Sequence, residues 1–308
     1  MKIVFLGTPD FSVAPLKSII ENTSHQVIAV VCNKDKPVGR KKILTAPPVK
    51  TFAISKNIPV YQYDKIRVDG VEDIKNLAPD LMITCAFGQI LSKEILDIPK
   101  YGVINIHASL LPKYRGASPI HYAILNGETK TGISIMKTDV GIDTGDVLLQ
   151  EELDILSNET CGSLFDRLSV VGANAIVKAL ELIEQGNATF AKQDDSKATL
   201  TKIIKKEDAL IDWSKNAKDV VNQVRAFNPS PIAYTYFNGE PFKIYECELC
   251  DQKGEIGTVL DSDKKLVIGC GDYSVSLKIV QKAGGKQMKI EDFLLGNKLQ
   301  KGFKFTND

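Results

Sequence analysis

Short apolar runs alternate with helical patterns through the first half of the chain, and this alternation constrains the fold more than any other feature. Helical patterns such as Ser12–Asn22 and Pro48–Lys56 separate the runs. Strands separated by helices predict βαβ units, hence an α/β domain with a Rossmann-like, mainly parallel sheet. Four runs are typical of strands buried on both faces of such a sheet: Ile3–Leu6, Val27–Val31, Leu81–Cys85 and Val103–Ile106.

The second half of the chain has a different pattern. An amphipathic helix is predicted from about Cys161 to Gln185, and Gly186 supplies its stop. Polar turns with little periodicity follow and indicate a linker. Later segments are short, alternate in polarity and are separated by Gly and Asp turns, which predicts a smaller OB-like β-barrel. We therefore expect an α/β domain over residues 1–188, a linker over 189–206 and a β-barrel domain over 207–308.

Composition narrows the class of protein. Hydrophobic residues make up 44% and charged residues 25%, which is typical of a globular protein. The apolar run at the start is too short for a secretory signal, and no run is long enough to span a membrane. We expect a cytoplasmic protein with no membrane contact. Cys247 and Cys250 have no nearby partner pair that would complete a zinc site, so no metal is expected.

Charge and glycine content bear on possible ligands. The opening turn has one glycine, Gly7, where the dinucleotide fingerprint needs three, which disfavours a nicotinamide cofactor. The net charge is +1, but residues 34–50 carry six Lys or Arg against one Asp. Residues 278–304 carry seven Lys against two acidic residues. Such patches can hold a phosphate backbone, although solvated lysine faces are an equal alternative.

The segment from Gly102 to Gly116 carries the most informative polar residues. Because side chains alternate along a strand, Asn105 and His107 share one face near the strand's carboxyl end, where open α/β sheets bind ligands. An amide beside an imidazole could form an oxyanion site, with the imidazole also moving protons. Alternatively, both could satisfy buried backbone groups, which is our interpretation of His25 and His121.

A second polar segment runs from Met136 to Asp146 and contains three aspartates and two glycines. Asp143 could orient or charge a neighbouring histidine. All three aspartates could instead make only turn hydrogen bonds, because Asp is favoured in turns for that reason. Composition leaves both interpretations open.

These two segments resemble the signatures of a known family. Residues 105–119 and 141–146 are similar to those of the 10-formyltetrahydrofolate-dependent formyltransferases. The resemblance implies a catalytic trio of Asn105, His107 and Asp143, with a formyl-folate as donor and no metal. It also implies a folate pocket built from nine residues: Phe87, Gly88, Ile90, Ser109, Leu110, Leu111, Pro112, Asp139 and Gly141.

The rest of the chain resembles the tRNA-acting members of that family. The similarity includes Lys205–Trp213, Arg225–Pro231 and the predicted barrel, which relatives that formylate small purine-pathway substrates lack. The insertion at 35–50 is similar to the loop with which tRNA-acting members grip an acceptor stem. Arg40 matches the key arginine of that loop, and we add its neighbours Lys41 and Lys42 to the predicted tRNA-binding set.

The resemblance implies a reaction. The amine of methionine charged on initiator tRNA attacks the formyl carbon of 10-formyltetrahydrofolate, and Asn105 and protonated His107 stabilise the charge on the formyl oxygen. Asp143 holds His107 charged and helps to move the proton through water. We expect a monomeric enzyme. The alternatives are a formyltransferase for another amine, such as an amino-sugar nucleotide, and a catalytically silent folate- or RNA-binding module.

Overall fold

The computed structural model describes residues 1–39 and 41–306, which form two compact units. The first unit contains Met1–Pro119, Lys130–Asp154 and Phe165–Lys202. The second contains Ile120–Thr129, Ile155–Leu164 and the chain from Ile203 onward. Within the described ranges, no helix is long and apolar enough to cross a membrane.

The first unit is built on a seven-stranded sheet in the order β10-β9-β7-β6-β1-β2-β5. The five strands from β7 to β5 are parallel, and β9 and β10 add an antiparallel edge. The predicted α/β fold with a mainly parallel sheet is therefore confirmed. The strands of this unit are β1 Lys2–Gly7, β2 Gln26–Cys32, β3 Lys36–Val38, β4 Ile43–Thr45, β5 Val60–Gln62, β6 Leu81–Cys85, β7 Val103–His107, β8 Arg115–Gly116, β9 Lys130–Lys137, β10 Val147–Asp154 and β11 Leu200–Thr201.

Helices cover this sheet because its central strands are apolar on both faces. Every residue of β6 is buried, as are five of the six residues of β1. The long amphipathic helix predicted from about Cys161 to Gln185 is observed as α7, and its two ends agree with the prediction within one residue. The helices through this part of the chain are α1 Val13–Asn22, α2 Pro48–Ser55, α3 Ile66–Asp69, α4 Val71–Leu77, α5 Lys93–Leu96, α6 Pro119–Leu125 and α7 Cys161–Glu184.

The segment that the sequence predicted as a linker is partly structured. Residues 200–201 form β11, which pairs in parallel with β8. Thr199, just before β11, accepts two further hydrogen bonds. Its carbonyl accepts from the backbone N–H of Arg115 over 2.9 Å, and its hydroxyl accepts from the backbone N–H of Tyr114 over 2.7 Å. Residues 189–202 are thus attached to the first unit, and the chain enters the second unit at Ile203.

The second unit contains a curled antiparallel sheet that forms half of a barrel, as expected from its short alternating segments. Its strand order is β12-β13-β16-β15-β14, with β17 paired to β16. An aromatic cluster that includes Phe237, Phe242 and Phe293 fills its interior. The elements are α8 Ala217–Ala226, β12 Tyr234–Phe237, β13 Glu240–Cys250, β14 Val259–Asp261, β15 Leu266–Gly269, β16 Ser274–Gln281, β17 Met288–Lys289 and α9 Ile290–Gly296.

Candidate active site

Asn105 and His107, both on β7, meet Asp143 at the carboxyl end of the parallel strands. The Asn105 Nδ2 atom lies 3.4 Å from Oδ1 of Asp143, and the His107 Nδ1 atom lies 3.6 Å from Oδ2. The Thr84 hydroxyl donates to Oδ1 of Asn105 over 2.9 Å, which fixes the orientation of the amide. The amide nitrogen of Asn105 therefore keeps a second N–H for which the described residues offer no acceptor.

The imidazole of His107 is almost fully buried, with 5% of its surface exposed. Its Nε2 lies 2.9 Å from the carbonyl oxygen of Tyr114. Because a carbonyl can only accept, we assign a proton to Nε2. The other nitrogen, Nδ1, faces the Asp143 carboxylate at 3.6 Å.

Both ring nitrogens of His107 thus have partners within the protein. The sequence led us to expect that Asn105 and His107 together stabilise the charge on the formyl oxygen, and that assignment stays a prediction. In this conformation the unengaged N–H belongs to Asn105.

Asp143 connects the two polar segments identified in the sequence. Its Oδ2 accepts a 2.7 Å hydrogen bond from the backbone N–H of Gly116. Its backbone has a φ of 53°, in the left-handed region that non-glycine residues seldom adopt. The side chain is 18% exposed, more than that of His107, so it is the ionisable group of the trio that a solvent molecule can reach.

Ser109 to Pro112, the predicted folate-binding segment, follows β7 directly. The Ser109 hydroxyl donates to the carbonyl of Lys113 over 2.6 Å, and the N–H of Leu111 donates to the hydroxyl of Ser134 over 3.1 Å. Leu111 is 6% exposed, whereas Leu110 and Pro112 are half-buried. These internal bonds hold the segment in place beside His107.

The predicted folate residues Phe87, Gly88 and Ile90 lie in the loop that follows β6. Phe87 is buried, and its carbonyl accepts a 3.0 Å hydrogen bond from the side chain of Asn33. Gly88 has a φ of 78°, which explains the glycine. Ile90 is 72% exposed.

The remaining predicted folate residues, Asp139 and Gly141, shape the start of the Asp143 loop. The Asp139 carboxylate accepts from the N–H of Gly141 over 2.9 Å and from the hydroxyl of Thr144 over 2.8 Å. A Cβ on Gly141 would overlap the Thr144 side chain, so a larger residue would displace the hydroxyl that bonds to Asp139. This part of the loop is therefore held by its own hydrogen bonds.

A cavity of about 780 Å³ opens beside this loop. Leu96, Val103 and Val140 are among its apolar residues, and Asp139 lies on its polar edge. The hydroxyl of Thr138, another lining residue, is buried with no hydrogen-bond partner among the residues that the structure describes. The volume lies in the range of small-molecule sites. Of the predicted folate residues, Asp139 lines this cavity.

Within the basic segment at 34–50, β3 pairs with β4 to form the arms of an exposed β-hairpin. Lys41 and Lys42 are exposed in its turn, and the N–H of Lys42 donates to the carbonyl of Gly39 over 3.1 Å. Arg40, the predicted key arginine, lies outside the described residues. The two arms of the hairpin are exposed regular strands.

At the base of the hairpin, Lys50 forms an ion pair with Asp35. Lys50 Nζ contacts the Asp35 carboxylate at 2.8 Å and the side-chain oxygen of Gln62 at 2.8 Å. Hydrogen bonds from Lys50 and then Gln62 hold the pKa of Asp35 below its ordinary value. Lys50 is thus engaged with the protein, unlike the lysines of the turn.

Sequence reasoning missed two residues next to the trio, Thr84 and Gln193. Gln193 donates to the carbonyls of Asp143 and Gly145, and its own segment carries no local pattern that would reveal this contact. No cluster of three or more His, Cys, Asp or Glu side chains among residues 1–39 and 41–306 is arranged to hold a metal ion.

Two family profiles match the chain. The formyl transferase family matches residues 1–180, and the formyl transferase C-terminal domain matches residues 203–298. The chain is 47% identical over 313 aligned residues to the methionyl-tRNA formyltransferase of Bacillus licheniformis, with 100% of this chain and 98% of that protein covered. It is 45% identical to that of Bacillus subtilis, covering 98% of this chain and 96% of that protein.

Solved structures share the fold. The N-formyltransferase from Helicobacter canadensis, in complex with folinic acid and dTDP-3-aminofucose, superposes with a TM-score of 0.70 at 22% identity, covering 92% of this chain and 99% of that one. The methionyl-tRNA formyltransferase from Clostridium thermocellum has a TM-score of 0.59 at 20% identity, with 87% and 100% covered. From the matched profiles and the full-length relatives, the chain belongs to the formyltransferase family, among its methionyl-tRNA formyltransferases.

Proposed function

We propose that this chain transfers the formyl group of 10-formyltetrahydrofolate to the amino group of methionine carried on initiator tRNA. The contact of Asp143 with both Asn105 and His107 is the observation that carries the chemistry. It joins an amide donor, a carboxylate and an imidazole in one cluster, and such groups can stabilise the oxyanion and move the proton in acyl transfer to an amine. Full-length similarity to methionyl-tRNA formyltransferases supports the choice of acceptor.

The reaction forms one bond and breaks another. The amine nitrogen attacks the formyl carbon and negative charge develops on the formyl oxygen, where the free N–H of Asn105 donates. When the carbonyl re-forms, the bond between the formyl carbon and N10 breaks. Tetrahydrofolate leaves with its electron pair, and the methionine nitrogen keeps the formyl group.

The same step requires a proton to move from the attacking nitrogen to the departing N10. We assign this transfer to Asp143, whose carboxylate is partly exposed and lies 3.4 Å from the Asn105 amide, with water as the relay. His107 faces the carboxylate and offsets the charge that changes on it. His107 therefore acts through electrostatics rather than by direct donation.

The folate is proposed to bind against the predicted residues beside this trio. Phe87 and Gly88 follow β6, and Ser109 to Pro112 follow β7, so both segments lie at the carboxyl ends of parallel strands, where open α/β sheets bind ligands. Ile90, exposed in the loop after β6, would be covered by the rest of the cofactor.

The tRNA is proposed to bind the hairpin at 36–45 and the unit that follows the linker. Lys41 and Lys42 are exposed cations in the hairpin turn, and phosphate contacts from such side chains position a nucleic acid. Arg40 belongs to the same proposal. So does the division into a catalytic domain over 1–188, a linker over 189–206 and a tRNA-binding domain over 207–308.

The direct test supplies the purified chain with 10-formyltetrahydrofolate and three acceptors in parallel: methionyl initiator tRNA, an amino-sugar nucleotide and glycinamide ribonucleotide. We expect formyl transfer to the tRNA and none to the small acceptors. Transfer to the sugar nucleotide would contradict the assigned acceptor. Folate or tRNA binding without transfer to any acceptor would favour the silent module instead.

A further inference from the structure

Gln193 occupies a position that the proposed mechanism does not use. It lies between α7 and β11, in the segment that the sequence predicted as a linker, and it is buried with 7% of its surface exposed. Its Nε2 donates to the carbonyl of Asp143 over 2.9 Å and to that of Gly145 over 2.7 Å. One amide group thus holds the backbone on both sides of Thr144.

The other end of the same amide reaches the first active-site motif. Its Oε1 accepts a 3.0 Å hydrogen bond from Nε of Arg115, which is also buried. The guanidinium of Arg115 is held in turn by the carboxylate of Asp195 at 2.7 Å. Gln193 therefore connects Arg115, in β8, with the loop at 141–146. Both N–H groups and the oxygen of its amide form hydrogen bonds.

Asp143 needs such support because of its backbone. With a φ of 53°, it occupies the left-handed region that non-glycine residues seldom adopt. Its side chain must nevertheless face Asn105, His107 and the N–H of Gly116 at the same time. Hydrogen bonds to the carbonyls of residues 143 and 145 oppose the relaxation of this turn.

We propose that Gln193 is a positioning residue for Asp143, which sets the orientation of the catalytic carboxylate without touching the substrates. This inference rests on the proposed function. The start of the loop is held independently, because Asp139 bonds to Gly141 and Thr144. Loss of Gln193 should therefore disturb the carboxylate more than the folate-contacting part of the loop.

Two substitutions test this role in the full-length protein. Gln193→Glu keeps the size of the side chain and an acceptor for Arg115, but its carboxylate has no N–H for the two carbonyls. Gln193→Ala removes the side chain. We expect kcat to fall by about 10- to 100-fold in both, as small misplacements of catalytic groups do, with KM for the folate within about threefold. Gln26→Glu and Gln26→Ala, at an exposed position in the same unit, should leave both constants unchanged.

A second readout does not depend on activity. The chain has three histidines, so the imidazole ¹⁵N signals can be assigned by single substitutions. Gln193→Glu should shift the His107 signals, because the carboxylate facing Nδ1 moves, and leave those of His25 and His121 in place. If the parent transferred no formyl group, the proposed function would fail while this measurement still tested Gln193.

The outcomes separate positioning from simple stabilisation. A lower kcat at a temperature where the variant is folded, together with shifted His107 signals, supports the proposal. Parent-like kcat with unchanged His107 signals in the folded Gln193→Glu variant overturns it. A loss of activity that only tracks the unfolded fraction also overturns it. If Gln193→Ala fails to fold, the isosteric Gln193→Glu variant decides.

Discussion

Replacing Lys41 and Lys42 with Ala should flatten the salt dependence of tRNA binding. Both side chains are exposed in the hairpin turn, and neither forms an ion pair with a residue that the structure describes. Lys34 and Lys50 of the same basic segment pair with Asp64 and with Asp35, which removes them from the count of free charges.

The magnitude follows from the number of phosphate contacts that can be lost. Each contact contributes about 0.7 to 0.9 to the slope of log K against log salt, so the double variant should lose roughly 1.4 to 1.8. Between about 50 and 200 mM salt, the parent should then lose roughly tenfold more affinity than the variant. Adding Arg40→Ala should cost more than either lysine, because a guanidinium can hold a phosphate through two hydrogen bonds.

The assay is binding of initiator tRNA titrated across salt concentrations, with folate affinity measured on the same proteins. The charge-matched control is the double variant Lys17→Ala and Lys56→Ala, which removes two lysines that already pair with Glu21. We expect the control to keep the parent slope. Identical slopes for parent, hairpin variant and control would refute the reasoning, and equal losses of tRNA and folate affinity would mean that the hairpin is structural.

Two further predictions concern charges. Asp143→Asn can still accept from the N–H of Gly116 but loses its charge opposite His107, so kcat should fall by roughly 100-fold or more with little change in Tm, and full activity would show that Asp143 only shapes the turn. Burial holds the pKa of His121 below its ordinary value despite an opposing hydrogen bond to the backbone of Ser230. Because the unfolded chain protonates His121 at a higher pH than the folded chain does, this group lowers the free energy of unfolding at acidic pH. The loss begins below about pH 6.5 and continues as the pH drops toward the lower pKa of the folded state. Melting curves at pH 7.5 and 5.5 should therefore show a smaller fall in Tm for His121→Gln than for the parent, and equal falls would contradict the burial argument.

The sheet of the first unit was predictable because its strands carry a local signal. Leu81–Cys85 was predicted as a buried strand and has those bounds in the structure, and Val103–Ile106 differs from β7 by one residue. Central parallel strands must be apolar on both faces, so their composition reveals them. The alternation of side chains likewise brought Asn105 and His107 to one face, where both meet Asp143.

Other features of the site depend on contacts between distant parts of the chain. The hydrogen bonds of Gln193 to the Asp143 loop span about fifty residues of sequence and leave no periodic trace. The engagement of His107 Nε2 by the carbonyl of Tyr114 depends on how the chain turns after β7. A residue pattern can indicate which groups are near one another, but the direction of each N–H follows only from the folded backbone.

The central claim is that Asn105, His107 and Asp143 carry the formyl transfer, and one kinetic measurement tests it most directly. Turnover of methionyl initiator tRNA should be measured for Asn105→Ala and His107→Ala, with melting curves, folate binding and a His25→Ala control. The account predicts that kcat falls by roughly 100-fold or more in both variants, as it does when an oxyanion donor or its supporting charge is removed, while the proteins remain folded. Near-parent turnover in both folded variants would contradict it.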